Sequence, residues 1–134
     1  CLPCDSELSA LLSGAASAYL ASVSGLFDIN SGTAAPRLHH GLMASGDRFI
    51  NCPEVSNALR TPLLDAGHDV LAVEMEGAAV AQVCLDYGVA FAAMRTISDR
   101  ADATAHVDFA QFIDTVASRY ADHIVRNLLQ SLPK

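Results

Sequence analysis

Residues 71 to 88 read "LAVEMEGAAVAQVCLDYG", which sets Glu74 and Glu76 two positions apart between an apolar run and an alanine-rich run. A carboxylate within apolar sequence is costly unless a cation or hydrogen-bond donors meet it. Two further polar groups follow apolar runs in the same way. "SGDRFI", upstream, holds Ser45, Gly46, Asp47, Arg48, Phe49 and Ile50, and "RTISD", downstream, holds Arg95, Thr96, Ile97, Ser98 and Asp99. The chemistry open to such a set is concrete. A carboxylate accepts two hydrogen bonds, as the adjacent hydroxyls of a sugar offer them. Asp99, behind a hydroxyl and close in sequence to Arg95, can hold or deliver a proton.

The elements that must position these residues follow from hydrophobic spacing. Residues 5 to 25 carry leucines, alanines and a tyrosine at helical intervals, and the polar loop "DINSGTAAPRLHH" follows. From residue 41 the chain alternates. "GLMASGD" predicts a buried strand, "NCPEVSNALRTPLLDAG" a helix with Pro53 at its start and Gly67 past its end, and "DVLAVEME" a second strand. "GAAVAQVCLDYG" predicts a helix closed by Gly88, and "VAFAAMRTISD" a third strand. Residues 109 to 130 predict the last helix, with Phe109, Phe112, Ile113, Val116, Tyr120, Ile124 and Leu128 in one stripe and Asp108 and Gln111 at capping-box spacing.

Strand–helix alternation predicts an α/β fold with a mostly parallel sheet flanked by helices, the strands apolar on both faces. In such sheets ligands bind beyond the carboxyl ends of the strands, and all three polar groups fall there. On a strand, Glu74 and Glu76 share a face and Met75 points the other way. Glu76, at the helix start, is expected to meet the backbone amides and the positive end of the helix dipole, leaving one of the two carboxylates tied down and the other free for a ligand. Taken singly, each acidic residue also fits a plain helix cap, and Arg95 its structural partner. Three strands make a thin sheet, so the chain reads as one part of a larger unit.

Composition narrows the function. The chain has 134 residues, 51% hydrophobic and 17% charged, which predicts one globular domain with a substantial core. Its formal net charge of −7 argues against a nucleic-acid partner, and no apolar run reaches the roughly 18 residues of a membrane span. Cys1 and Cys4 have C-x-x-C spacing without the second pair a zinc site needs, and Cys84 reads as a small core residue. The start, "CLPCDSEL", lacks the basic region of a signal peptide, which predicts a cytoplasmic protein with reduced thiols.

"VEMEGAAVAQVC", then "RTISDRAD", with "SGDRFI" upstream and "HVDFAQF" downstream, resembles the purine nucleoside phosphorylase and nucleosidase superfamily, and within it the 5′-methylthioadenosine/S-adenosylhomocysteine nucleosidases. The resemblance covers residues 41 to 130 well and the first helix loosely. It implies the superfamily's three-layer α/β/α fold and hydrolysis of an N-glycosidic bond with release of adenine. It implies that Glu76 holds the ribose 2′ and 3′ hydroxyls, with Met75 packed beneath the sugar. Asp99 is implied as the general acid at adenine N7, oriented by Ser98. Phe49 would stack on the base, the Ile50 backbone would bond its edge, and Arg95 would position Glu76 near the nucleophile. Phe109 would line the pocket for the 5′ substituent, and Glu74 would act through water or neighbouring backbone.

No cofactor and no metal are implied. The expected partners are a small nucleoside substrate and either a second copy in a homodimer or a complementing N-terminal half. Superfamily members are substantially longer, and their first strands and water-activating glutamate have no counterpart before Gly41. The chain is therefore expected to be the C-terminal portion of such a domain. A phosphorylase, with phosphate as the nucleophile, and a non-catalytic nucleoside-binding module both stay open on these residues.

Overall fold

The computed structural model describes residues 1–23, 36–99, 101 and 118–132. Their elements run α1 (Ser6–Val23), β1 (Leu42–Ser45), α2 (Pro53–Asp65), β2 (Val70–Glu74), α3 (Gly77–Asp86) and α4 (Ser118–Ser131). β1 and β2 pair in parallel, so the helix between them is a crossover and the α/β class predicted from alternation holds.

Local chemistry explains the boundaries. Asp5 starts α1 by accepting the Leu8 amide at 2.8 Å, an N-cap, while its own amide donates to the Phe91 carbonyl at 2.7 Å and ties the helix to the downstream segment. Pro53 opens α2, where a missing N–H costs nothing. Gly67 (φ 84°) and Gly88 (φ 63°) follow the ends of α2 and α3 in the left-handed conformation that ends helices and that other residues resist.

The principal packing is α1 on α4. Ala15, Ala16, Tyr19 and Ile124 are buried, with Leu12, Leu20, Tyr120, Leu128 and Met94 partly buried around them. Tyr19 meets Tyr120 edge-on at 5.3 Å and stacks on His123 at 5.2 Å. Tyr120, Ile124 and Leu128 thus form the inward stripe their spacing predicted, while Phe109, Phe112, Ile113, Val116 and the Asp108–Gln111 cap lie outside the described residues.

Three expectations are corrected. "VAFAAMRTISD" forms no strand: among the described residues the sheet has two strands, and residues 89–99 make no ladder with either. Apolar, β-branched composition favours a strand, but a ladder also needs a partner segment, and this segment pairs with neither β1 nor β2. The strands are also not covered on both faces. Along β2, Leu71 and Val73 are 54% and 38% exposed while Val70, Ala72 and Glu74 turn inward. The core is correspondingly small, for Ala81 is the only further buried apolar residue among those described, and Cys84 is half-buried rather than interior. Val80, Val83 and Leu85 of α3 are each at least half exposed, so the apolar content is present without a second layer to bury it.

Candidate functional site

β1 and β2 end side by side, with Ser45 and Glu74 as register partners. The Gly46 amide donates to the Glu74 carbonyl at 3.0 Å, which extends the pairing past the last strand residue and fixes where both polar ends emerge. Immediately beyond, α3 begins, so its unpaired amides face the same rim.

Glu74 takes those amides. Its Oε2 accepts the Glu76 amide at 3.0 Å and the Gly77 amide at 2.6 Å, as well as Arg95 Nη2 at 2.7 Å. The hydroxyl of Ser45, its register partner, adds to the lowering of the Glu74 pKa. Only 8% of the side chain is exposed. Burial pushes the carboxyl upward, but the bonds from Ser45, the two amides and Arg95 outweigh it and bring its pKa from 4.5 to about 2. This corrects the expectation that Glu76 would meet the amides. A glutamate two residues before the N-cap can fold back over the first turn, whereas Glu76, the N-cap residue itself, makes no side-chain cap bond.

Glu76 is instead the open member of the pair, 67% exposed on its side chain and joined to Arg95 Nη2 at 2.7 Å. One guanidinium nitrogen therefore bridges both carboxylates. Burial lowers the Arg95 pKa, and the bonds to Glu76 and Glu74 more than reverse that, so the net direction is up. The arrangement leaves one carboxylate tied down and the other presented to solvent, the division of labour their spacing suggested.

Asp99 lies across the same groove. Its Oδ2 accepts the Ser98 hydroxyl at 2.7 Å and its Oδ1 the Ala101 amide at 2.8 Å, which fixes the plane of the carboxyl group. Arg95 pairs with the two glutamates rather than with Asp99. The groove has a volume of about 840 Å³, and Phe49, Ile50, Glu74, Met75, Glu76, Arg95, Ser98 and Asp99 all line it. Phe49 and Met75, 39% and 44% exposed, are its apolar walls, with Leu59 and Leu63 of α2. Of the nine predicted site residues, Phe109 alone lies outside the described residues.

Two contributors are given no role by the sequence. Ser45 counts there only among the polar residues of the rim, and its bond to the Ala78 amide appears only once β1 and α3 are placed in space. Ala101 adopts φ 54°, a left-handed conformation for a residue with a Cβ, and so aims its amide at Asp99. An alanine carries no signal of that role.

Comparison with known proteins places the chain in a family. The sequence model of the phosphorylase superfamily matches residues 2–130. The chain belongs to the phosphorylase superfamily. Among curated superfamily proteins, the 5′-methylthioadenosine/S-adenosylhomocysteine nucleosidase of Mycobacterium bovis is 37% identical over 102 residues, 76% of this chain and 36% of that protein. Among solved superfamily structures, the corresponding nucleosidase of Neisseria meningitidis, in complex with methylthio-immucillin-A, superposes with a TM-score of 0.75 at 30% identity over 98% of this chain and 48% of that one. Futalosine hydrolase of Helicobacter pylori superposes with a TM-score of 0.70 at 27% identity, again over 98% of this chain and 47% of its own. The chain thus spans about half the length of the superfamily structures it matches.

Proposed function

We propose that this chain supplies the ribose-binding and base-protonating part of a nucleosidase acting on 5′-methylthioadenosine and S-adenosylhomocysteine. The observation that carries the reading is the Arg95 bridge, which holds Glu76 exposed in the groove that Asp99 and Phe49 also line.

The chemistry asks for two things. As the C1′–N9 bond breaks, the sugar becomes oxocarbenium-like and the electron pair leaves with adenine, a poor leaving group. Asp99 delivers a proton to N7 as the bond lengthens, so that neutral adenine departs. The Ser98 hydroxyl can donate to the carboxylate or accept from the protonated acid, and so orients Asp99 before and after transfer. Glu76 accepts the 2′ and 3′ hydroxyls and, with Met75 beneath the ring, holds the sugar in reactive geometry. Phe49 stacks on the base and the Ile50 backbone bonds its edge; the 5′-pocket role of Phe109, outside the described residues, rests on the family resemblance alone. Water adds at C1′ and yields its proton to a base. By the family resemblance that base is a glutamate in the part of the relatives that this chain does not span, so turnover is expected to need that part. A homodimeric, cytoplasmic protein is the accompanying expectation.

The test is adenine release from 5′-methylthioadenosine in phosphate-free buffer, by the chain alone and with the N-terminal part of a nucleosidase supplied. Release only in the second case supports the proposal. Release that depends strictly on phosphate identifies a phosphorylase, and nucleoside binding without release in either case identifies a binding module. A second reading, favoured by the likeness to futalosine hydrolase, is that the nucleoside is futalosine. Cleavage of futalosine in preference to 5′-methylthioadenosine would establish it.

A further inference from the structure

Glu76 faces the groove without a bond to the helix that follows it, so something else must hold its direction. Arg95 does so, and Arg95 is in turn held by Glu74, which is the hub of the whole arrangement. What fixes Glu74 from the strand side is Ser45. The two are partners in the parallel register, so their side chains leave the sheet on the same face. The Ser45 hydroxyl lies near enough to the Glu74 carboxylate to lower its pKa, and its oxygen accepts the Ala78 amide at 3.0 Å. Accepting from α3 leaves the hydroxyl proton to be directed at Glu74, its register partner across the sheet, which only a group with both capacities allows. Glu74 and Ser45 between them take three successive amides at this turn, those of Glu76, Gly77 and Ala78.

We propose that Ser45 is a positioning residue of this site: its hydroxyl locks Glu74 to the amino end of α3, which keeps Arg95 on Glu76 and sets the direction of the Glu76 carboxylate. The consequence for a ligand rests on the nucleoside-binding reading above, whereas the linkage among Ser45, Glu74 and Arg95 does not.

Two measurements separate these. Carbon-detected NMR of the unliganded chain follows the titration of Glu74, and calorimetry follows the binding of 5′-methylthioadenosine. Ser45→Ala removes a hydrogen bond to a charged group and is expected to raise the Glu74 midpoint by about one unit and to weaken nucleoside binding about tenfold. Ser45→Thr keeps the hydroxyl and is expected to restore both, which a change in packing alone would not do. An unchanged Glu74 midpoint in Ser45→Ala overturns the linkage. A shifted midpoint with unchanged nucleoside affinity overturns the positioning role. If the wild-type chain binds no nucleoside while the midpoint still shifts and Thr rescues it, the nucleoside-binding reading fails and the linkage stands.

Discussion

Glu74 and Glu76 both lie 2.7 Å from the same nitrogen of Arg95, yet one side chain is 8% exposed and the other 67%. The pair is asymmetric because β2 ends at Glu74, whose carboxylate folds back over the first turn of α3. Burial makes the Glu74 contact the structural one, and exposure makes the Glu76 contact the one a ligand can exploit.

Removing the shared cation tests this division. Arg95→Met leaves a buried carboxylate without its charged partner, a change that costs about 3 kcal/mol when the partner is buried and less when it is half open, as Arg95 is. The expected outcome is a loss of about 1–3 kcal/mol in urea denaturation and loss of measurable nucleoside binding. Arg95→Lys keeps the charge without the guanidinium fork and is expected to recover stability more fully than binding. Equal recovery of both would contradict the asymmetry.

The pH dependence of stability follows from Glu74. Its carboxyl titrates at about 2 in the folded chain against 4.5 otherwise, so the unfolded chain binds protons first as acid is added. The stabilisation is therefore complete above pH 4.5 and is lost as pH falls from there towards 2. A shift of that size corresponds to about 3 kcal/mol before screening near the half-exposed Arg95 is allowed for. Denaturation midpoints at pH 6 and pH 3 should differ in the wild type, and much of that difference should vanish in Glu74→Gln.

The rim was legible because its chemistry is conspicuous. Any one of these carboxylates also fits a helix cap, but three polar groups at the carboxyl ends of parallel strands together point to a ligand rim. Eight predicted residues accordingly meet in one groove. The assignment of roles within the rim was not legible. Which glutamate takes the α3 amides depends on where β2 stops, and strand ends are poorly specified by composition. The predicted third strand failed for a related reason. "VAFAAMRTISD" has the residues of a strand, but pairing is a property of two segments, and it pairs with neither described strand.

Asp99→Asn tests the proton donor. The amide is close in size and still accepts the Ala101 amide through its oxygen, so the loop should hold its shape. It cannot supply a proton to N7. Adenine release by the completed enzyme should fall by about 10²–10⁴, with nucleoside affinity within a few-fold of wild type. A parallel loss of both would make Asp99 a binding group instead.

Exposed apolar side chains make the last prediction. Leu71 and Val73, on one face of β2, and Val80 and Val83, one turn apart on α3, are large and exposed, and exposed apolar surface in quantity marks places that other polypeptide covers. In the superfamily structures that superpose on this chain, about half of each chain lies outside the superposition, which is the kind of polypeptide that could cover them. Alone, the chain is expected to associate with increasing concentration in sedimentation velocity and to bind a hydrophobic dye. Leu71→Lys with Val83→Lys should suppress both while changing stability by no more than about 0.5 kcal/mol, because neither side chain is buried. A large destabilisation would mean that these residues already pack within the chain. Unchanged association would move the adhesive surface elsewhere, to the exposed Val125 and Leu129 of α4.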